Sequence, residues 1–406
     1  MRESKLGMGM SAGGGTRREM WIRRNLPTVD DLRQRARKRI PGFAFEYADC
    51  GAGLDQNVCA NRAALDAVEL VPRCGVDRAD TSIEVTLFGR RYAAPIGIAP
   101  IGLPSMIWPG AELAFGKAAQ RARIPYTVGC VGGCTIERLG EVAPDVLWFQ
   151  LYRVARDDHK VGIDLIKRAQ AAGAHALVLT LDVPTRSKRP REMRNRLAVP
   201  FQPGLRTVYE VVTSPAWLMA LLRHGQPDFV NMAPYAGQGR TAIADFVTRE
   251  LGGSFTWDEV KRYRDVWKGP LVIKGVLHPE DARHAVSIGA DGIQVSNHGG
   301  RQFEAAPAAI DALPAIARAV GDKATVLFDS GIRSGTDVLR VLALGGQTAF
   351  TARPFLFAAA ALGDEGADYV ADLLIDEIRT ATRQAGLQAV GQAGSLVIRH
   401  PGALQF

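Results

Sequence analysis

The sequence predicts an α/β protein built on a (β/α)8 TIM barrel, with a helical cap before the barrel and a long insertion after its fourth strand. Two observations carry this prediction. From about residue 95 the chain repeats a short apolar run followed by a helical segment, and eight such runs occur. Buried parallel strands form continuous apolar runs joined by crossover helices. Eight such units over about 260 residues match the size of this barrel.

The eight strand candidates are bounded by Gly, Pro or Asp. An open, doubly wound sheet is the competing architecture, but it requires a G-x-G-x-x-G turn after the first strand and an acidic residue further on. The sequence has neither. In chain order the candidate strands are 95–102, 124–130, 146–152, 176–182, 270–276, 292–299, 324–332 and 348–354.

The spacing of these runs is regular except between the fourth and fifth. Residues 183–255 form an insertion on the side of the barrel where active sites lie, and we expect it to be a lid. Residues 28–65 look helical, with Pro41 starting a helix and Gly51 and Gly53 breaking the chain, and form the expected cap.

These features divide the chain into three parts. A catalytic domain is expected over 28–390, preceded by a basic, flexible arm over 1–27 and followed by a tail over 391–406.

Charge is concentrated at the amino terminus. The net charge is +8, and residues 1–39 hold 11 Lys/Arg and 4 Asp/Glu, which accounts for +7 of it. The rest of the chain is nearly neutral, so we expect no nucleic-acid partner. A basic arm can touch acidic lipid or RNA, but a solvated extension is the commoner state of such a terminus.

The cysteines and apolar stretches restrict the class further. The five cysteines are odd in number and lack C-x-x-C spacing, so we expect neither a disulfide framework nor a metal site. Free thiols indicate the cytoplasm. The longest uncharged stretch, 92–111, contains four prolines and is not expected to span a membrane.

Polar residues end six of the predicted strands, and in this barrel the carboxyl ends of the strands carry the chemistry. One such residue would mean little, but agreement among six strands indicates an active site. These residues are Gln150, Tyr152, Thr180, Asp182, Lys274, Ser296, Asn297, His298, Asp329 and Arg353.

The last two strands predict a phosphate site. Strand seven runs into Gly331 and Arg333, and strand eight into Arg353. Glycines permit close backbone approach, and arginines give bidentate donors to a dianion.

The segment 296–301 places His298 and Arg301 three residues apart. This suits a carboxylate substrate whose neighbouring carbon must lose a proton, because histidine is the natural general base near neutral pH. Asp182 is the candidate partner that fixes the imidazole. Lys274 follows an apolar run and is interpreted either as a Schiff-base nucleophile or as a fixed positive charge.

The chain resembles the FMN-dependent 2-hydroxy-acid oxidase and dehydrogenase family, which includes glycolate oxidase, L-lactate dehydrogenase and (S)-mandelate dehydrogenase. The resemblance covers about 28–390. Its most specific motif is SNHGGRQ (296–302), supported by WFQLY (148–152), LTLD (179–182), IKGV (273–276), DSGIRSGTDV (329–338) and LALGG (342–346).

The resemblance implies a role for each site residue. His298 is the base and Asp182 its partner, Tyr152 faces the substrate oxygen, and Tyr47, Arg189 and Arg301 hold the substrate carboxylate. FMN is the implied cofactor, a 2-hydroxy acid the substrate, and oxygen or a quinone the electron acceptor. A homotetramer is also implied. The implied FMN contacts are Pro100, Ile101, Gly102, Gln150, Thr180, Lys274, Ser296, Asp329, Gly331, Arg333 and Arg353.

Four positions, Gly129, Val131, Ser330 and Ala352, depart from the family's usual pattern. Gly129 stands where a flavin-contacting Ser or Thr is common, and Val131 replaces an aromatic residue of some members, which favours larger or aryl substrates. Gly102 is not a departure, and it resembles dehydrogenase and monooxygenase members, which react more slowly with oxygen than the oxidases. Ser330 and Ala352 add side chains beside the expected phosphate path. They motivate the alternative of an FMN-binding protein with lost or altered turnover, whereas a Schiff-base lyase using Lys274 is a third hypothesis.

An apolar cluster inside the insertion, at 207–225, allows two interpretations. It contains Trp217, Leu218, Met219, Leu221 and Leu222. It either packs on the barrel mouth as a lid, the commoner outcome, or lies on a membrane surface so that electrons can reach a quinone. We therefore expect a cytoplasmic protein. Peripheral contact with the inner face of the membrane is the alternative location.

Overall fold

A computed structural model describes residues 16–76, 80–197, 204–250, 252–253 and 255–406. Within these residues the helices are α1 (Arg17–Asn25), α2 (Val29–Arg39), α3 (Gly42–Asp49), α4 (Gln56–Asp66), α5 (Ala111–Ala122), α6 (Ile136–Val142), α7 (Lys160–Ala171), α8 (Pro190–Arg194), α9 (Leu205–Val212), α10 (Pro215–His224), α11 (Arg240–Glu250), α12 (Trp257–Val266), α13 (Pro279–Ser287), α14 (Ala309–Val320), α15 (Gly335–Ala343), α16 (Arg353–Leu362) and α17 (Gly366–Gln384).

The strands are short and mostly buried. They are β1 (Glu69–Val71), β2 (Val85–Leu87), β3 (Arg90–Tyr92), β4 (Ile96–Ile98), β5 (Tyr126–Gly129), β6 (Leu147–Leu151), β7 (Leu177–Thr180), β8 (Leu271–Val276), β9 (Gly292–Val295), β10 (Thr325–Asp329), β11 (Thr348–Thr351) and β12 (Val397–Arg399).

Strands β4 to β11 form a closed parallel barrel in chain order, with β11 pairing back onto β4. Each of the eight predicted apolar runs contains one of these strands, so the predicted barrel is confirmed. One helix follows each strand, except that α8 to α11 intervene between β7 and α12 and that both α16 and α17 follow β11. This arrangement brings the carboxyl ends of all eight strands to one face.

The cap and the insertion sit where the sequence indicates. Helices α2, α3 and α4 precede the barrel, with Pro41 at the amino-terminal cap of α3. Helices α8 to α11 lie in the insertion, of which residues 198–203, 251 and 254 fall outside the described residues.

The described parts of both termini contain regular secondary structure. Residues 1–15 of the expected arm lie outside the described residues, but from Thr16 the arm forms α1. A capping box between Thr16 and Glu19 satisfies backbone donors at its start, and buried Ile22 attaches it to the protein. In the expected tail, β12 pairs with β1 in antiparallel register.

Candidate active site

His298 is held between an acid and a phenol. It follows β9 with a left-handed backbone (φ 58°), and its backbone N–H donates to Ser296 Oγ at 3.0 Å. Nδ1 lies 3.0 Å from Asp182 Oδ1, and Nε2 lies 3.4 Å from the Tyr152 hydroxyl. One ring nitrogen is therefore fixed by a carboxylate, and the other faces the cleft as a general base must.

Burial sets the charge of this pair. It lowers the pKa of His298 and outweighs the opposing effect of Asp182, so the imidazole is neutral near pH 7. Burial acts to raise the pKa of Asp182, but His298 and Lys274 outweigh it and the pKa is lowered. A neutral imidazole beside a carboxylate can take up a proton.

The position of Asp182 depends on a glycine in the next strand. Gly275 has φ 97°, and a Cβ there would lie 2.6 Å from both Cβ and Cγ of Asp182. Its absence lets the carboxylate approach β8 closely.

Buried side-chain amides attach the loop that contains His298 to the cap. Asn297 Nδ2 donates to Asn57 Oδ1 at 2.7 Å and to Asn61 Oδ1 at 2.8 Å, and Asn61 Nδ2 donates back to Asn297 Oδ1 at 2.9 Å. Asn57 and Asn61 are one turn apart on α4. The cap thus orients the base, because these hydrogen bonds fix the backbone beside it.

Lys274 lies buried under the cleft as a fixed charge. Its Nζ donates to Ser296 Oγ at 2.9 Å and lies 3.3 Å from Asp329 Oδ2. Burial opposes its charge, but Asp329 and Asp182 outweigh that effect and hold its pKa above the usual value. A protonated amine is not a nucleophile, so the geometry favours the fixed-charge interpretation over the Schiff base.

Two arginines, the half-buried Arg333 and the buried Arg353, mark an anion site at the last two strands. Burial lowers the pKa of Arg333 to about 10, with Arg62 adding to the effect, and lowers that of Arg353 to about 9, with Arg333 adding. Arg353 donates to the carbonyl oxygens of Ala48, Gly299 and Cys50. Neither forms an ion pair with a carboxylate among the described residues. Two such cations beside the start of α16 fit a phosphate dianion.

Ser330 has an unusual backbone for a serine but a fully used hydroxyl. Its φ is 97°, a value at which glycine has no side-chain penalty. The hydroxyl donates to Asp329 Oδ1 at 3.0 Å and accepts from the N–H groups of Asn297 at 3.2 Å and Gly299 at 3.0 Å. The side chain therefore stabilises the His298 loop, although Ser330 and Ala352 both line the cleft.

Arg189 and Arg301 converge on one buried carboxylate, that of Glu192. Glu192 Oε1 accepts from Arg301 Nη2 at 2.9 Å and from Arg189 Nη1 at 3.1 Å. Arg189 also donates to the carbonyl oxygen of Arg301, and the Arg301 guanidinium lies over the Tyr47 ring at 5.3 Å. The two guanidinium groups and the Glu192 carboxylate together carry a net charge of +1, which is available to bind a substrate carboxylate.

A second, mainly apolar cavity of about 360 Å³ opens beside these arginines. Tyr47, Gly102 and Tyr152 belong to both the cleft and this cavity. The apolar side chains that line it are Leu103, Met106, Val131, Val183, Leu197, Phe229 and Val247.

The structure brings together nearly all of the residues predicted for the site. The cleft is lined by Tyr47, Pro100, Ile101, Gly102, Tyr152, Lys274, His298, Arg301, Asp329, Gly331, Arg333 and Arg353. Arg189 lines the second cavity instead. Gln150, Thr180 and Ser296 are buried behind the cleft, where Gln150 Nε2 donates to Thr180 Oγ1 at 3.0 Å.

Sequence reasoning missed Glu192, Asn57 and Asn61. The two asparagines have helical i, i+4 spacing inside an otherwise ordinary cap helix, which signals a shared face but no function. Glu192 lies three residues after Arg189, a spacing that pairs them on α8 and could have indicated it.

The fold and the site together define a class of protein. A parallel barrel holds a buried lysine, an anion site for a phosphorylated cofactor and a histidine–aspartate pair beside two arginines. This is the arrangement of a cofactor-dependent oxidoreductase acting on a small acid.

Comparison with known proteins identifies the family. The family model described as FMN-dependent dehydrogenase matches residues 36–400. The chain is 38% identical to an L-lactate dehydrogenase of Chromohalobacter salexigens over 370 residues, covering 90% of this chain and 93% of the relative. It is also 38% identical to an L-lactate dehydrogenase of Caulobacter vibrioides over 375 residues, covering 91% and 97%.

Solved structures agree with this identification. The monotopic membrane protein (S)-mandelate dehydrogenase superposes with a TM-score of 0.88 at 32% identity, covering 93% of this chain and 100% of that one. A mandelate oxidase with (S)-4-hydroxymandelic acid superposes with a TM-score of 0.78 at 37% identity, covering 93% and 99%.

The chain belongs to the FMN-dependent dehydrogenase family. The predicted class of FMN-dependent 2-hydroxy-acid oxidoreductase is confirmed, and FMN is its cofactor. The residues present fit that group, since Arg333 and Arg353 suit its phosphate and Lys274 supplies a positive charge beneath the cleft. FMN, when bound, accepts the two electrons removed from the substrate.

Proposed function

We propose that this enzyme oxidises an L-2-hydroxy acid with an apolar side chain larger than methyl, and delivers the electrons to a quinone at a membrane surface. The observation that carries the substrate class is the 360 Å³ apolar cavity beside Arg189 and Tyr152. A methyl group would leave most of this cavity unfilled, whereas an aryl or branched side chain would bury its apolar surface there.

Each catalytic residue has one task in this proposal. Arg301, Arg189 and Tyr47 bind the substrate carboxylate, and Tyr152 donates a hydrogen bond to the substrate oxygen. Nε2 of His298 takes a proton from the substrate, and Asp182 stabilises the imidazolium that forms. Burial raises the pKa of Tyr152, so its phenol stays protonated and can donate.

The same residues would hold FMN. The backbone at Pro100, Ile101 and Gly102, with Lys274, Gln150, Thr180 and Ser296, would hold the ring. Asp329, Gly331, Arg333 and Arg353 would hold the ribityl phosphate. Lys274 would stabilise negative charge on the reduced ring.

Anaerobic reduction of the flavin tests the substrate class. Wild-type protein should be reduced more efficiently by mandelate than by lactate or glycolate. Val131→Phe should lower kcat/KM for mandelate and leave the value for glycolate nearly unchanged, because Val131 lines only the cavity that the larger side chain would fill. Equal losses with both substrates would contradict the assignment.

The membrane part of the proposal rests on the exposed face of the lid. Leu205, Val208, Tyr209 and Val212 on α9 have i, i+3, i+4, i+7 spacing and are 92%, 56%, 69% and 64% exposed. An amphipathic helix normally turns such a stripe toward its own core, so an outward stripe favours an apolar partner. Among the described residues no helix is long and apolar enough to cross a membrane.

Helix α10 supports both earlier interpretations of the apolar cluster. Trp217 is 4% exposed, and its Nε1 donates to the carbonyl oxygen of Ile107 at 3.0 Å, whereas Met219 and Leu222 are 65% and 72% exposed. One face of α10 thus packs on the protein, and the other exposes Met219 and Leu222. We call the exposed side chains Leu205, Val208, Tyr209, Val212, Met219 and Leu222 the apolar surface.

Vesicle co-sedimentation tests this surface. Val208→Ser combined with Met219→Ser should weaken binding, and Val71→Ser combined with Val397→Ser, on the exposed β1–β12 pair, is the matched control. Equal binding by both variants would rule out the apolar surface.

Reoxidation of the reduced flavin should be faster with a vesicle-borne quinone than with oxygen. Homotetramer assembly and a place at the inner face of the membrane stay predictions.

A further inference from the structure

The helix at the amino terminus adjoins the lid across an open pocket. Trp21 on α1, Arg35, Lys38 and Arg39 on α2, and Thr213 and Pro215 at the α9–α10 turn all line this cavity of about 530 Å³. We call it the basic pocket. It brings the basic helix α2 against the turn that connects α9 and α10.

The cations of the basic pocket form no ion pairs with the described carboxylates. Arg35 and Arg39 donate to the carbonyl oxygens of Ala361 and Ala360, at 3.0 Å and 2.8 Å. With Lys38, they form no ion pair with any carboxylate that the structure describes. Three cations and one carboxylate, Asp31, around one cavity leave a net positive charge that attracts an anion.

The nearby carboxylates are engaged elsewhere. Asp31, the acid that lines the pocket, accepts from the backbone N–H and the hydroxyl of Thr28 at the start of α2. Glu365 pairs with Arg18, and Asp364 accepts from Trp108 Nε1 at 2.9 Å.

The rim of the basic pocket is apolar and exposed. Val212 of the apolar surface directly precedes Thr213 in the pocket wall, and on the opposite wall Trp21 is 45% exposed. Arg35 lies over the Trp21 ring at 4.9 Å. Tryptophan beside cations is the composition found at the level of lipid head groups.

We propose that the basic pocket binds the phosphate of an anionic glycerophospholipid, with α1 forming part of the membrane-binding surface. This inference rests on the proposed membrane contact of the apolar surface. The apolar side chains enter the acyl region, Trp21 lies at the interface, and Lys38 and Arg35 contact the head group. It gives the basic amino-terminal helix a function and supplies the cations that the 207–225 segment has in small number.

The test uses the full-length, FMN-loaded protein and co-sedimentation with two kinds of vesicle, phosphatidylcholine alone and phosphatidylcholine mixed with phosphatidylglycerol. The basic-pocket variant is Lys38→Gln with Arg35→Gln. Its charge-matched control is Lys323→Gln with Arg318→Gln, at exposed positions at the end of α14 and just beyond it. Lys38→Gln alone is a second variant, since Lys38 is exposed and its loss disturbs no packing.

Wild type and control should bind the phosphatidylglycerol vesicles more tightly than phosphatidylcholine. Each pocket charge removed should weaken that binding about fivefold, with little change on phosphatidylcholine. Anaerobic flavin reduction should be the same in all variants. Equal binding of the basic-pocket variant, Lys38→Gln and the control would overturn the inference.

Two further outcomes separate this inference from its premises. Loss of vesicle binding in Val208→Ser with Met219→Ser, but not in the basic-pocket variant, leaves the membrane contact standing and refutes the basic pocket alone. Soluble glycerol phosphate is the competitor at constant ionic strength. If glycerol phosphate reduces co-sedimentation of the wild type but not of the basic-pocket variant, and the wild type shows no preference for phosphatidylglycerol vesicles, the site binds a soluble phosphate. That outcome would refute the lipid.

Discussion

Asp182 Oδ1 lies 3.0 Å from Nδ1 of His298, while Asp182 Oδ2 is buried without a hydrogen-bond partner among the described residues. A buried carboxylate oxygen without a donor is costly. In the proposed mechanism the charge of this carboxylate is directed at the imidazole, where positive charge develops when His298 takes up a proton.

This pair predicts the acid limb of the pH profile. His298 must be neutral to act, and its pKa is lowered by burial, so kcat/KM should fall only at pH values below the usual histidine range. In Asp182→Asn the carboxylate that raises the His298 pKa is gone. The limb should move to lower pH, and the maximal rate should fall because the imidazolium loses its counter-charge. A limb that moves to higher pH would be inconsistent with this arrangement.

Substitutions on the two faces of α10 should have unequal effects on stability. Trp217→Ala removes a buried ring in edge contact with Phe43, and should lower the free energy of unfolding by about 3–5 kcal/mol. Met219→Ala, two residues away on the exposed face, should change it by less than about 0.5 kcal/mol. Thermal unfolding of both variants measures the difference. Similar midpoints would show that α10 does not pack as described.

The contrast on α10 shows what the sequence could and could not predict. Apolar runs defined the eight strands because parallel strands are buried on both faces, and the strand-end rule then located His298, Lys274 and Arg353. The sequence of α10 contains Trp217 and Met219 as equally apolar residues. Which of them is covered depends on how the insertion packs on Ile107 and on the cap residue Phe43, which the local pattern does not encode.

Glu192 illustrates a different limit. A glutamate on a short helix is usually a solvated residue, and only the folded insertion places it between Arg189 and Arg301, which are far apart in the sequence. Asn57 and Asn61 were missed for the same reason, since their partner Asn297 belongs to a loop more than 200 residues away.

The next prediction concerns the contribution of Arg353 to FMN affinity. Its guanidinium is buried and its pKa is lowered to about 9 by burial and by Arg333, so a phosphate dianion should relieve the repulsion. Arg353→Gln should weaken FMN binding about 10- to 100-fold, the range expected for losing a hydrogen-bonded charge. Fluorescence titration of the apoprotein measures the affinity. Arg318→Gln, on the exposed face of α14, should bind FMN normally, and a normal affinity in both variants would exclude Arg353 from the phosphate site.

Glu192 predicts selectivity for a single carboxylate. It leaves one net positive charge at Arg189 and Arg301, whereas Glu192→Gln leaves two. The affinity for oxalate, a dianion, divided by the affinity for a 2-oxo monocarboxylate should therefore be about tenfold higher or more in Glu192→Gln than in the wild type. Perturbation of the flavin spectrum measures both affinities, and Glu192→Asp should retain the wild-type ratio. If Glu192 has only a structural role, Glu192→Gln should weaken the binding of both ligands by the same factor.

The central claim is that His298 is the base that starts oxidation of a 2-hydroxy acid, and anaerobic stopped-flow reduction of the flavin tests it most directly. His298→Ala should retain FMN with a normal spectrum, because no FMN contact is assigned to its side chain. Its rate of flavin reduction by mandelate should fall about 10²- to 10⁴-fold, the usual contribution of a positioned base. Reduction of the His298→Ala flavin at a rate close to that of the wild type would contradict the account.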